Sequence, residues 1–357
     1  MRRFSLIVLA AAAACVQPPA QAQVTLSGTL DLGVKSVSNT GVGSQKSMSS
    51  GANSTSRIIV NGREDLGDGL WAGFHLEHGL LGDTGAAASA SKFWDRRSTV
   101  SLGHSRWGEL RLGRDFVPSY NNWSRYDPFA YVGVARSANV VSASPTGPIR
   151  SAFGSNANTT VRSDNAVQLL LPGGLGGVEG SAMVAAGEGG AVASGLAKVI
   201  GLRLGYATKT WGVSAATTSS ENSLTTDGKF KDTAIGGHAQ LAGVRLTAAW
   251  RQFDVGQAEQ VLWLVGAVYT QGVHEFKASW TRSDMSGSVG TTVLGANDAS
   301  QWGLGYVYNL SKRSVVYASV ARISNDGASR YTITDGPAGM AAGGSSSGYE
   351  VGMRHRF

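Results

Sequence analysis

From Gln23 to the C-terminus, apolar and polar residues alternate with a period of two, and no stretch shows sustained helical spacing. In residues 347–357, Tyr349, Val351, Met353 and Phe357 share one face, while Glu350, Arg354 and Arg356 share the other. Val161, Val167 and Leu169 oppose Arg162, Asp164 and Gln168 in the same way. Successive side chains of a strand point to opposite faces, so this pattern predicts strands with one apolar and one wet face. A half-buried soluble sheet would give the same alternation, so the period does not decide the class. Strand windows fall at 24–35, 53–63, 69–80, 92–103, 107–116, 160–171, 176–187, 197–209, 211–221, 230–240, 243–252, 259–270, 273–284, 297–309, 313–323 and 347–357, about sixteen in all.

The connectors narrow the choice. Glu64–Asp68, Gly103–Arg106, Pro172–Leu175, Lys209–Thr210, Leu241–Ala242, Gln271–Gly272 and Leu310–Lys312 are short. They alternate with longer Gly/Ser/Asn-rich connectors such as Ser36–Ala52, Val117–Thr159 and Ser324–Ser346. Short turns at one end and long loops at the other, with an even strand number, are the signature of a transmembrane antiparallel β-barrel. None of the 8 prolines falls inside a strand window. A closed sheet has no edge where a missing N–H is harmless, so that exclusion is expected. Trp71, Trp107 and Trp211 each follow a short turn, where an interfacial aromatic belt would sit; ordinary core tryptophans are the alternative.

Composition supports a membrane protein without helical spans. Charged residues make up only 15%, there are 49 glycines, and mean hydropathy is −0.06. A chain that enters a bilayer without helices must close its backbone hydrogen bonds as a barrel. Residues 1–22 read as a secretory signal: Met1-Arg2-Arg3, an apolar run from Leu6 to Val16, Pro18-Pro19, then Ala20-Gln21-Ala22. The single cysteine, Cys15, lies in that leader. Ala12 stands where a lipoprotein signal prefers Leu, so removal of Cys15 with the leader is the expectation. Residues 23–357 then form one domain without disulfides or thiolate metal sites. The formal net charge of +7, to which Arg2 and Arg3 contribute, is spread too thinly to imply nucleic acid.

Catalytic and cofactor patterns are weak. The six histidines show no metal-ligand spacing with paired acids. Ser89-Ala90-Ser91-Lys92 fits Ser-x-x-Lys formally but lies in a Gly/Ala/Ser loop rather than opening a helix. Asp227-Gly228 and Asn325-Asp326-Gly327 lack the remaining calcium ligands and read as turns. Neither cofactor nor catalytic residue is expected.

Several segments resemble the general-diffusion porins of Gram-negative outer membranes, in particular their β-proteobacterial branch. Val24-Thr25-Leu26-Ser27-Gly28-Thr29-Leu30-Asp31 is similar to the first strand, and Ser56-Arg57 through Glu64-Asp65-Leu66-Gly67-Asp68-Gly69-Leu70 to the second strand and first turn. Leu110-Arg111-Leu112-Gly113-Arg114 resembles the strand before the pore loop, and Arg354-His355-Arg356-Phe357 the terminus. The resemblance implies a homotrimer of sixteen-stranded barrels among outer-membrane lipids and lipopolysaccharide. It also implies that Phe357 is read by the barrel-assembly machinery, and that the chain passes small ions and polar solutes.

The long connector from Val117 to Thr159 corresponds to the loop that folds into the lumen and constricts it. Its Tyr120, Trp123, Tyr126, Phe129 and Tyr131, with Pro118 and Pro128, are suited to packing against a wall. By the same resemblance, Arg57, Arg96 and Arg162 form a basic wall and Asp127 an acid on the facing loop. The family's second loop acid falls near Tyr131 and its first-strand basic position at Thr29, while Arg125, Arg136 and Arg150 add positive charge to the loop. These departures predict anion preference, because like charges lining a confined passage concentrate counter-ions. Local pairing of Arg57 with Glu77, or of Arg162 with Asp164, is the structural alternative. With Leu110 and Leu112 facing lipid, Arg111 points inward, and Arg114 points outward unless the strand bulges at Gly113. A channel specific for organic acids, phosphate or sugars, a barrel enzyme and an adhesin stand as rival functions.

Overall fold

The computed structural model describes residues 23–141, 146–154, 160–187 and 197–357. The expected leader, residues 1–22, lies outside the described residues. Sixteen antiparallel strands form the barrel: β1 (Gln23–Asn39), β2 (Arg57–Gly67), β3 (Leu70–Leu81), β4 (Arg97–His104), β5 (Gly108–Phe116), β6 (Arg162–Leu170), β7 (Val178–Ala185), β8 (Lys198–Ala207), β9 (Trp211–Glu221), β10 (Phe230–Leu241), β11 (Val244–Val255), β12 (Ala258–Gln271), β13 (His274–Val289), β14 (Ala299–Asn309), β15 (Ser314–Asn325) and β16 (Ser345–Arg356). Each strand pairs with the next, and β1 closes the ring: Gln23–Thr29 pair with β2, and Thr29–Asn39 with β16. Phe357 completes the seam, exchanging two backbone hydrogen bonds with Gly28.

The two faces of the sheet carry opposite chemistry. On β8, Ile200, Leu202 and Leu204 are exposed, while Val199 and Gly201 between them are buried. On β16, Tyr349, Val351 and Met353 are exposed, whereas Glu350 is only 2% accessible. A closed sheet that shows aliphatic side chains outward and encloses acids, amides and arginines is built for lipid outside and polar contents inside.

Three local readings of the sequence are corrected. The connector Ser36–Ala52 contains a strand, Gly43–Ser50, that folds back on the far half of β1. It escapes pattern reading because Gly43-Ser44-Gln45-Lys46-Ser47 is polar on both faces. Between β11 and β12 the connector at the long-loop end shrinks to Gly256-Gln257, since both strands run past their apolar stretches. Trp107 (80% exposed) and Trp211 lie outward, but Trp71 does not. It shares the inner face of β3 with Gly73 and His75, and the Arg63 guanidinium sits 4.2 Å from its ring centroid.

Candidate functional site

The connector between β5 and β6 opens with a short helix, α1 (Pro118–Ser124), and includes a second, α2 (Pro148–Phe153). Pro118 and Pro148 start these helices where a missing N–H costs nothing. The segment bonds to the inward-facing residues of β9, β10, β12, β14 and β16. Ser119 Oγ donates to Asp232 (2.6 Å), Asn122 Nδ2 to the Ala234 carbonyl (3.1 Å), and the Tyr126 hydroxyl meets Ser214 Oγ (2.5 Å). Gln260 Nε2 donates to the Val140 carbonyl (3.1 Å), Gln301 Nε2 to the carbonyls of Ala135 (3.1 Å) and Arg136 (3.0 Å), and Glu350 accepts from the Val134 N–H (3.0 Å). Trp123, Tyr126 and Phe129 are buried. The strands leave room for these rings: a Cβ at Gly236 would collide with Tyr126, and one at Gly266 with Pro128.

A water-accessible space of about 450 Å³ lies between this segment and the wall formed by β2, β3 and β6. Arg57, Arg96, Arg162 and Glu77 line it on the wall side; Tyr120, Ala130, Tyr131 and Val132 line it on the loop side. Glu77 Oε1 is shared by Arg96 Nε (2.6 Å) and Arg57 Nε (3.3 Å). His75 Nε2 lies 3.3 Å from Glu77 Oε2. Arg162 donates from Nε to the Arg96 carbonyl (2.9 Å), and its guanidinium lies 4.5 Å from the Phe116 ring centroid. Among the described residues no carboxylate comes within ion-pair distance of Arg162. The sequence alternative of an Arg162–Asp164 pair is not formed, because Asp164 is taken by Arg114 (2.5 Å) and Lys92 (2.6 Å). The Arg57–Glu77 pair is formed. Arg96 itself precedes β4 rather than lying on it; its backbone N–H donates to the Glu77 carbonyl, which brings its side chain to Glu77.

Asp127 faces its own loop, not the arginines. Its carboxylate accepts the N–H groups of Phe129 (2.9 Å), Tyr131 (3.2 Å) and Ser137 (3.0 Å) and the Ser137 hydroxyl (2.6 Å). Burial pushes its pKa up, opposed by those donors. These bonds fix a turn in which Ala130 (φ 50°) and Tyr131 (φ 67°) are both left-handed, a costly conformation for non-glycine residues. The turn holds Tyr131 against the open space. Burial raises its phenol to about 12, so the loop side is uncharged at ordinary pH.

The remaining expected site residues lie elsewhere. Arg125 pairs with Glu179 on β7. Arg136 is packed in the loop, bonded to Asn139 (3.0 Å) and Thr334, and burial lowers its pKa. Arg150 is exposed on α2. Arg111 points inward with Arg63 and Arg97 around a second space of about 540 Å³, but Glu109 (2.8 Å) and Asp115 (2.7 Å) neutralise it. The strand does bulge at Gly113 (φ 124°), and the Arg114 side chain is only 10% exposed against Asp164.

Comparison with known proteins agrees with this architecture. The family description "Gram-negative porin" matches residues 5–328. Outer membrane porin protein 32 of Delftia acidovorans is 32% identical over 374 residues, covering 99% of each chain. The anion-selective porin from Comamonas acidovorans superposes with a TM-score of 0.78 at 28% identity, covering 94% of this chain and 100% of that one. OmpT of Vibrio cholerae, solved in a trimer form, shares the fold at 12% identity and a TM-score of 0.62, covering 94% of this chain and 99% of that one. The chain belongs to the Gram-negative porins, the channel-forming β-barrels of the outer membrane.

Proposed function

We propose that this porin is an anion-preferring diffusion channel, narrowed where the β5–β6 segment crosses the lumen in front of Arg57, Arg96 and Arg162. The observation that carries the reading is the charge balance of that space: three guanidiniums, one carboxylate and an uncharged loop side. Positive charge on one wall of a confined passage raises the local concentration of anions and repels cations. The similar porin from Comamonas acidovorans is anion-selective, which supports the same sign. The reading assigns passive diffusion and no catalysis.

Trimerisation belongs to the same proposal. The outward faces of β11 to β14 carry Trp250, Trp263, Tyr269, Phe276, Trp280, Trp302 and Tyr306. Those of β4 to β6 carry Val100, Leu102, Leu110, Leu112, Val167 and Leu169 instead. Aromatic rings favour the lipid interface, so the sector whose strands are aliphatic, with Trp107 alone at its turn end among the described residues, suits contact between subunits. Residues 1–22 would be removed on export, the ring-rich sector would meet lipid and lipopolysaccharide, and Phe357 would be the residue read by the assembly machinery.

The test is the zero-current potential of refolded protein across a planar bilayer under a potassium chloride gradient. A chloride-directed potential is expected, shrinking in Arg57→Gln, Arg96→Gln and Arg162→Gln. High salt on both sides should weaken the preference by screening. Conductance without charge preference, unchanged in all three variants, would refute the filter.

A further inference from the structure

The lumen holds a second group built like the first. At the first, two arginines share Glu77, and a third, Arg162, donates to the carbonyl of one of them. At the second, Arg125 of the loop segment and Arg203 of β8 share Glu179 of β7, Arg203 at 2.5 Å. A third arginine, Arg245 of β11, donates from Nη2 to the Arg125 carbonyl (3.3 Å). Each group thus sets three guanidiniums against one carboxylate. Each also has a histidine: His75 at the first, and at the second His238 of β10, whose ring lies 6.4 Å from that of Tyr126.

The second group is open and unsaturated. The side chains of Arg125 and Glu179 are 33% and 34% exposed, so water reaches the pair. Arg203 Nε and His238 Nδ1 are buried and have no hydrogen-bond partner among the described residues. A buried donor left without an acceptor costs free energy that an incoming oxygen would recover. The group also lies at a different depth. Glu179, His238 and Arg245 stand near the short-turn ends of their strands and Arg203 at mid-strand, whereas Arg57 and Arg162 open β2 and β6 at the long-loop ends. An anion that has passed the first group towards the turn side meets the second.

We propose that Arg125, Arg203, Arg245 and His238 form a second binding station for small oxyanions, carboxylates or phosphates, on the turn side of the loop segment. It rests on the anion-channel reading and extends it from one filter to a two-step path. Guanidinium forks match the paired oxygens of a carboxylate or phosphate and not a spherical halide, so the station separates polyatomic anions from chloride. Two weak sites in series allow fast passage, because an ion entering one favours departure from the other.

Chloride current through the refolded protein, recorded while inorganic phosphate is titrated at constant ionic strength, tests the station. Phosphate should reduce the current with saturation. Arg245→Gln should raise the half-blocking concentration about tenfold, as expected for one lost charge-assisted contact. Arg245→Lys should recover most of the block, and the zero-current potential should change less in Arg245→Gln than in Arg162→Gln. No block in the unmutated channel, or a half-blocking concentration unmoved in both Arg245→Gln and Arg203→Gln, would overturn the station while a chloride-directed potential kept the channel reading. Loss of chloride preference with a phosphate block still dependent on Arg245 would do the reverse.

Discussion

Two of the arginine–carboxylate sets that line the inside of this barrel differ sharply in balance and in access to water. Asp232 and Arg251 meet one to one on β10 and β11, with bonds of 2.8 and 2.7 Å and side chains 2% and 0% exposed. Ser119 of α1 donates to the same carboxylate, and Trp123 and Phe253 cover the guanidinium. Across the lumen, Glu77 meets Arg57 and Arg96 beside open water, with Arg162 lining the same space. The closed pair is cancelled at short range and presents little field to a passing ion. The open group keeps a surplus of charge where an ion can reach it. Stoichiometry and solvent access, rather than residue type, separate an anchor from a filter.

Asp232→Ala attacks the comparison at its costliest point. It leaves the Arg251 guanidinium buried without its carboxylate and Ser119 without its acceptor. Breaking one side of a buried pair costs on the order of 3–5 kcal/mol. A clear fall in the unfolding temperature in detergent is expected, together with noisier conductance as α1 loses its seat. Unfolding and current noise equal to those of the unmutated protein would show that the pair is not the anchor.

Asp127→Asn sharpens the comparison from the loop side. One carboxylate oxygen accepts the Tyr131 and Ser137 N–H groups and the Ser137 hydroxyl, and an amide nitrogen placed there would face donors. A loss of about 1–3 kcal/mol is expected for those unmet bonds. The zero-current potential should stay nearly unchanged in variants that remain folded, because Asp127 does not line the open space. A large shift towards chloride would instead place Asp127 in the ion path.

Much of the barrel was legible because lipid imposes a strict pattern. Outward positions across the apolar band must be mostly apolar, and prolines must stay out of a sheet without edges. Gly43–Ser50 was illegible because its own residues are nearly all polar or Gly, so no alternation marks it although it pairs with Leu32–Asn39 of β1. At the site, resemblance pointed to Arg57, Arg96 and Arg162, which line one space, the first two sharing Glu77. It did not reveal that Asp127 turns inward, since the number of donors around a carboxylate depends on a backbone turn that spacing does not encode. Glu179, Arg203 and Arg245 were missed for another reason. They stand on three different strands, and only the side-by-side order of β7 to β11 and the return of Arg125 bring them together.

Glu77→Gln is the gentlest change and the most direct contrast with Asp232→Ala, because it too removes a carboxylate from arginines. Here the guanidiniums keep access to water: the side chains of Arg57 and Arg96 are 23% and 16% exposed. Glu77 is 10% exposed and its partners more so, against 2% and 0% for Asp232 and Arg251, so unfolding should move less than in Asp232→Ala. The amide oxygen still accepts one of the bonds now made by Oε1. What changes is the field: the one acid that lines the space among the described residues is gone, and the zero-current potential should move further towards chloride. Stability lost as heavily as in Asp232→Ala would mean that Glu77 also anchors the wall. A weaker chloride preference would mean that it acts chiefly by holding Arg57 and Arg96 in place, so that geometry rather than net charge sets the selectivity.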